Sequence, residues 1–360
     1  MADSVLEQIA ALKDEDWAIR EEAASMLASF RDARAVVPLV AALRDPDRAV
    51  REAAIAALTA IGEASVLPVS VCLKDADLTV QELAASILAT IADARVLESL
   101  IEALRSQDWV VRMHAAKALG RIGDARPVQA LIPLLQDKVK AVRVDATSAL
   151  ALIGQAAVPS LLEALKHDEW IVRLHAVEAL GQMHSPEAVE PLLYVLFNDR
   201  DAAVREDAAR ALGEIKDPRA VEFLLTAMNE VGVRPLAVEA LGKISDRRAV
   251  PALIAVVTGS NKPANSRPID GCGDRWDEEM LAMTAAVKAL GQIQDETAIP
   301  TLMTALQNTV VRAEAAAALV TFGSRVIPFL LEVLRKEQDD NILYHVKESL
   351  AQVGWRPNRI

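Results

Sequence analysis

Two phrases hold the side chains best suited to chemistry: DWVVRMH at residues 108–114 and EWIVRLH at 169–175. Each sets a tryptophan, an arginine, a bulky apolar residue and a histidine within seven residues. An imidazole can ligate a metal or carry a proton near neutral pH. Trp and Arg are over-represented where proteins bind one another tightly. Catalysis needs more company than these phrases supply. His114 and His175 are each followed by Ala, and His167, His184 and His345 make no cluster with ligand spacing. Cys72 and Cys272 stand far apart, with no CxxC pair. No phosphate loop, glycine-rich fingerprint, nucleophile elbow or zinc-binding phrase occurs. The expectation is a binding protein with no catalytic residue, no metal and no cofactor.

These phrases belong to a repeat. VRMHAAKALGRIGDARPVQALIPLL starts at Val111, VRLHAVEALGQMHSPEAVEPLLYVL at Val172 and VREDAARALGEIKDPRAVEFLLTAM at Val204. The register arginine recurs as Arg20, Arg51, Arg112, Arg143, Arg173, Arg205, Arg234 and Arg312, with Gln81, Met283 and Leu343 in the same slot of three further copies. That makes eleven copies spaced 29–32 residues apart, except for one step of 49 between Arg234 and Met283. Within a copy, Val111, Ala115, Ala118, Leu119 and Ile122 mark one face of a helix, and Val128, Leu131, Ile132 and Leu135 mark a second. GDAR, KDPR and SDRR between them are turn chemistry. The helix that carries AVxPLL is called the A-helix of a copy, and the one that carries the arginine its B-helix. Glycines late in the B-helix (Gly120, Gly181, Gly213, Gly242, Gly291) imply either close packing or a loosened helix end.

A helix pair of this length cannot bury its apolar face alone, whereas stacked pairs share one continuous core. Hydrophobic residues make up 52% of the 360 but aromatics only 3%, so the core is aliphatic and suits closely approaching helices. The net charge of −12 lowers the odds of a phosphate-neutralising surface, so no nucleic acid is expected. No apolar run approaches the 18–20 residues of a membrane span, and no basic-then-apolar leader opens the chain. A reducing, cytoplasmic setting is expected.

The phrase VRxxAAxALGxIGD followed by AVxPLLxAL resembles HEAT repeats, in the subgroup of HEAT-like repeats of phycobilisome bilin lyases. The resemblance implies an all-α, right-handed α–α superhelical solenoid of about eleven helix pairs running 1–360, with the B-helices on its concave face. It implies a non-enzymatic scaffold or adaptor that binds another protein on that face. Two alternatives attach to the same resemblance: a bilin lyase-like chromophore-handling protein, and a HEAT-type metal-dependent oxidoreductase. The second needs His-Glu pairs that this chain lacks.

Three slots around the register residue locate the candidate surface. The residue after it is Glu21, Glu52 and Glu82 in copies one to three, then Met113, Val144 and Leu174 in copies four to six. The residue three before it is Trp109, Lys140 and Trp170 in copies four to six, and the residue two after is His114, Asp145 and His175. Helix axes about 8–10 Å apart put the two Trp–His pairs on the order of 20 Å from each other. That distance is too long for a shared metal and suits a helix or loop of a partner. The candidate partner-binding set is Trp109, Met113, His114, Lys140, Val144, Trp170, Leu174 and His175. Two readings of the tryptophans fit: partner contact, or cover for the ends of their own helices. The register arginine reads as structural, pairing with Asp47, Asp108, Asp168 or Asp201 ahead of it or with the next repeat.

The step of 49 contains TGSNKPANSRPIDGCGDRWDEE, read as a loop of 259–276 inserted between the two helices of copy nine, with its helix resuming at DEEMLAMTAAVKALG. Cys272, Arg275 and Trp276 are the loop's candidates for partner contact. Cys272 between two glycines reads as an exposed thiol, and Cys72 as core. Copy eight is irregular, and Pro235 after Arg234 predicts a short helix starting there.

Overall fold

The computed structural model describes residues 2–230, 232–260 and 274–356. All regular structure among them is helical: twenty-two α-helices, with short 3₁₀ turns between them. The chain divides into two compact units, Met1–Ala179 and Leu180–Ile360.

In the first unit the B-helices are Trp17–Phe30, Arg48–Ile61, Leu78–Ile91, Trp109–Ile122, Lys140–Ile153 and the start of Trp170–Gln182. Their A partners are Ala2–Ala11, Val36–Ala42, Val66–Val71, Leu97–Ala103, Val128–Leu131 and Val158–Ala164. Asp16, Asp47, Asp77 and Asp108 cap the first four of these B-helices, each accepting the amide two residues on. Such a cap contributes about 1 kcal/mol. These aspartates therefore serve their helix N-termini. Of the expected pairings with the register arginine, Asp47 and Asp108 are given over to capping.

The arginine instead closes the turn behind it. Arg51 Nη1 donates to the carbonyls of Asp45 at 2.7 Å and Pro46 at 3.0 Å. Arg20, Arg112, Arg143 and Arg173 repeat this on the carbonyls six and five residues earlier. Arg20 and Arg112 also hold a carboxylate of the next copy: Arg20 grips Asp45 at 2.7 and 2.9 Å, and Arg112 grips Asp137 at 2.8 and 3.0 Å, both two-pronged. The planar fork of Arg suits such a grip.

The second unit repeats the pattern with the B-helices Ala202–Ile215, Arg234–Ile244, Asp274–Ile293, Arg312–Val320 and Asp340–Gln352. Arg234–Ile244 is short and begins where Pro235 requires. Asp274–Ile293 is the longest helix and begins earlier than DEEM, so part of the expected loop is its first turn. That extension has a use. Glu278 Oε1 accepts the Gly232 amide at 2.7 Å, and Glu279 stands 3.9 Å from the buried Arg234 guanidinium. The long ninth B-helix thus supplies anions to an eighth that has lost its Asp turn. Glu278→Ala/Glu279→Ala is expected to lower stability by about 2 kcal/mol, read as a lower denaturant midpoint. An unchanged midpoint would show the clasp to be idle.

The late glycines settle as packing positions, since each helix continues past them. A Cβ on Gly120 would lie 2.6 Å from Ala149 Cα in the following B-helix. In the second unit, Gly213 faces Ala240 and Gly291 faces Ala318 in the same way. Small residues on both sides let the backbones approach, which is why the core needs so few aromatics.

A second ladder joins copies at the opposite turn. In the Asp-x-Arg phrases, Asp93 pairs with Arg95, whose Nη2 also reaches the Glu63 carbonyl at 3.0 Å. Arg219 and Arg248 reach Pro186 and Pro218 similarly. The adjacent Arg34 guanidinium, followed by the Arg34 amide, holds the Asp32 carboxyl down to about 2. Asp93, Asp124, Asp217 and Asp246 are likewise held below the usual range, each first by the arginine two residues on. A carboxylate with a depressed folded-state pKa stabilises above its unfolded value near 4, and that contribution disappears as pH falls through the folded value. The melting temperature should therefore drop between about pH 4 and pH 2. Exposed pairs contribute modestly and are screened, so the drop should shrink in high salt. A melting temperature flat from pH 5 to pH 2 would contradict this.

Averaged hydropathy corrects one expectation. Two continuous helical stretches, Arg48–Lys74 and Lys140–Ala164, are long and apolar enough to match a membrane span by composition. Each is two helices that turn at a positive-φ glycine, Gly62 or Gly154.

Candidate protein-binding surface

The candidate residues fall on three consecutive B-helices of the first unit, Trp109–Ile122, Lys140–Ile153 and Trp170–Gln182. Trp109, Lys140 and Trp170 are the first residues of these helices, immediately after the A-to-B turns. One turn later come Met113, Val144 and Leu174. Trp109 is 42% exposed, Trp170 43% and Val144 42%. Lys140 is exposed, and Met113 and Leu174 are half-buried. Helical geometry puts the residues three before and one after the arginine on one face, four apart. The six side chains form two adjacent rows across the three helices. Both tryptophans sit at helix starts with nearly half their surface in water, so covering the turn uses only part of each ring.

The two histidines part company. His175 is 5% exposed. Its Nδ1 lies 2.6 Å from Glu178 Oε2, and its Nε2 lies 3.2 Å from Arg143 Nε, which donates to it. From a different position, in the B-helix and not in the turn, it accepts from the preceding copy's arginine as Asp45 and Asp137 do from Arg20 and Arg112. The expected partner contact at His175 is therefore replaced by a structural bond, because its ring is turned into the helix–helix seam. His114 is half-buried, and its Nδ1 lacks a hydrogen-bond partner. Burial, with Lys117 nearby, holds the ring below its usual pKa, opposed by Asp145. Burial pushes Asp145 up, countered by Lys117 and His114.

Sequence reasoning left out Leu78, 49% exposed at the start of the third B-helix, in the same row as the tryptophans. It also left out the Glu82–Asp108 contact at the border of the apolar rows. Burial pushes the Glu82 carboxyl up, and Asp108 adds to the shift by charge and hydrogen bond.

Cys72 is buried at 4% exposure, as expected for core. Cys272 lies outside the described residues. Arg275 and Trp276 fall in the first turn of Asp274–Ile293, and their side chains lie outside the description too. Among the described residues no group of three or more His, Cys, Asp or Glu is placed to hold a metal ion.

Comparison with known proteins follows the same lines. A HEAT-repeat model matches residues 5–69, 69–151, 158–231, 189–266 and 277–351. The PBS lyase HEAT-like repeat model matches 142–167. No curated protein matches the chain. Among solved structures, Kap95p bound to RanGDP superposes with a TM-score of 0.67 at 16% identity, covering 97% of this chain and 57% of that one. Kap121p bound to Nup53p gives 0.65 at 13%, covering 98% and 45%. The Kap95:Nup1 complex gives 0.65 at 16%, covering 98% and 58%. The chain thus spans about half the length of these karyopherins, and the likeness is one of fold. With eleven copies of one helix pair and repeat matches along nearly all its length, the chain belongs to the HEAT-repeat family and is an all-α solenoid.

Proposed function

We propose that this protein is a non-enzymatic scaffold that binds a segment of another protein across the B-helices of copies four to six, the face that is concave in HEAT solenoids. Trp109 and Trp170 are its anchors, Met113, Val144 and Leu174 the apolar floor, and Lys140 a charged contact between the anchors. The reading is carried by one observation: the apolar side chains of Met113, Val144 and Leu174, the first and last half-buried and Val144 42% exposed, occupy three consecutive copies in a slot that holds Glu21, Glu52, Glu82 and Glu206 in other copies. An exposed apolar patch of this kind marks an interaction site more often than chance. The karyopherins of similar fold carry protein partners in their complexes, RanGDP, Nup53p and Nup1 among them, and HEAT folds lend themselves to that use.

Val144→Asp places a charge in the middle of the apolar row at an exposed site. Affinity purification from the native host should lose the partner by tenfold or more, with the melting temperature within about 2 °C of wild type. Equal recovery by both proteins would sink the reading.

A further inference from the structure

The first unit's B-helix face changes character halfway along. The A-to-B turns and first helical turns of copies one to three, from six residues before the register residue to two after it (14–22, 45–53 and 75–83), hold eleven Asp or Glu against three Lys or Arg. The same stretches of copies four to six, 106–114, 137–145 and 167–175, hold five Asp or Glu against five Lys or Arg. Several of the acids face water: Asp14, Glu15, Asp16, Glu22 and Asp77 are exposed, and the Glu52 side chain keeps 59% of its surface. Their neutralisation within the fold is partial. Arg20 is committed to Asp45 and Arg48 to Glu52, while among the described residues the Glu21 carboxylate accepts only from Ser25 Oγ at 3.1 Å, a neutral partner. The slot after the register residue runs Glu21, Glu52, Glu82, then Met113, Val144, Leu174. The border falls at Glu82 and Asp108, where burial, with the Asp108 charge adding to it, pushes the Glu82 carboxyl up.

Resting on the reading above, we propose that the partner is a linear protein segment of two halves. A Lys/Arg-rich half lies over copies one to three, and a half bearing bulky apolar or aromatic side chains lies over copies four to six. Charge complementarity fixes which half lies where, because a cationic segment meets Lys138, Lys140 and Arg143 if it binds the other way round. Steps of about 8–10 Å per helix pair give each half on the order of 20 Å, or about six residues of extended chain. An acidic segment would face like charge over copies one to three, and that repulsion is what confers selectivity.

The test uses fluorescence anisotropy with three labelled synthetic peptides: six alternating Lys and Arg followed by a Leu/Phe/Trp hexamer, the same peptide with Glu for every cation, and the apolar hexamer alone on a Gly-Ser spacer. The full-length protein should bind the cationic–apolar peptide at least tenfold more tightly than the other two, and raising salt from 50 to 300 mM should reduce that advantage. Glu21→Gln/Glu22→Gln/Glu52→Gln should cut it by at least fivefold at low salt. These sites are on the surface, and a charge-reversed set (Glu21→Lys/Glu52→Lys) should cut it further, with folding checked by the melting temperature. Equal binding of the cationic and acidic peptides, or affinities untouched by both sets of variants, overturns the proposal while leaving the scaffold reading standing. If Trp109→Ala/Trp170→Ala leaves binding of the apolar hexamer unchanged, the failure lies with the scaffold reading itself.

Discussion

Replacing Trp109 and Trp170 together with alanine is expected to weaken partner capture by at least ~30-fold, about 2 kcal/mol. Each ring offers nearly half its surface to water in the free protein. A partner that covers it removes large apolar area from solvent at little cost in side-chain entropy, because Trp has only two side-chain torsions. The variant should remain folded. Both residues begin helices that Asp108 or the turn before Trp170 already initiates, and the core beneath is made of Val111, Ala115, Leu119, Val172 and Ala176, all buried. Trp17→Ala is the control. It changes the same slot in copy one, where Glu21 and Glu22 follow, and should alter capture less than threefold. A titration by calorimetry, with melting curves for all three proteins, checks both parts.

Gly120→Val carries the largest expected cost to stability. A Cβ at that position would meet Ala149 Cα at 2.6 Å and Ala149 Cβ at 2.9 Å. The obstacle is backbone in the next helix, so a rotamer change cannot relieve it. Two B-helices would have to separate, opening the seam between copies four and five. Overpacking of this kind typically costs 1–3 kcal/mol, and a branched side chain against backbone belongs at or above the top of that range, about 3 kcal/mol. Urea unfolding should show a midpoint shift of that size. Gly123→Ala, three residues on, has open space around it but a φ of +73°, so its cost should stay near 1 kcal/mol. If the two variants are equally destabilised, the close approach at Gly120 is not what the glycine is for.

Much of the architecture was legible because one physical requirement is written out many times. Val111, Ala115, Ala118, Leu119 and Ile122 declare a buried helix face, and the other copies repeat the declaration. Pro235 correctly announced a short helix starting at Arg234. What a single sequence left open was which carboxylate the arginine takes. Of the two expected pairings, within a copy or with the next, Arg20 and Arg112 make the second, 25 residues on, and Asp47 and Asp108 are caps. Partners across a seam are brought close by stacking, which no local pattern encodes.

The same limit explains the histidines. His114 and His175 sit in near-identical phrases, yet His175 is taken up by Arg143 and Glu178 while His114 keeps a nitrogen without a hydrogen bond. The difference lies in the neighbouring copy, Arg143 against one and Asp145 against the other. The apolar slots were easier, because exposure follows from their position on a helix whose opposite face is visibly core. Glu278 and Glu279 escaped notice because their partners, Gly232 and Arg234, belong to the preceding copy across the long step.

The central claim is that a partner lies on the B-helix face of copies four to six, and site-specific photo-crosslinking tests it most directly. A benzophenone amino acid would be placed at Val144 in one protein and at Val71, 73% exposed on an A-helix, in another. Irradiation in the native host, followed by mass spectrometry, should yield a partner adduct from position 144 and none from position 71. An adduct of the same partner from position 71, with none from 144, would place the binding surface on the other face and contradict the account.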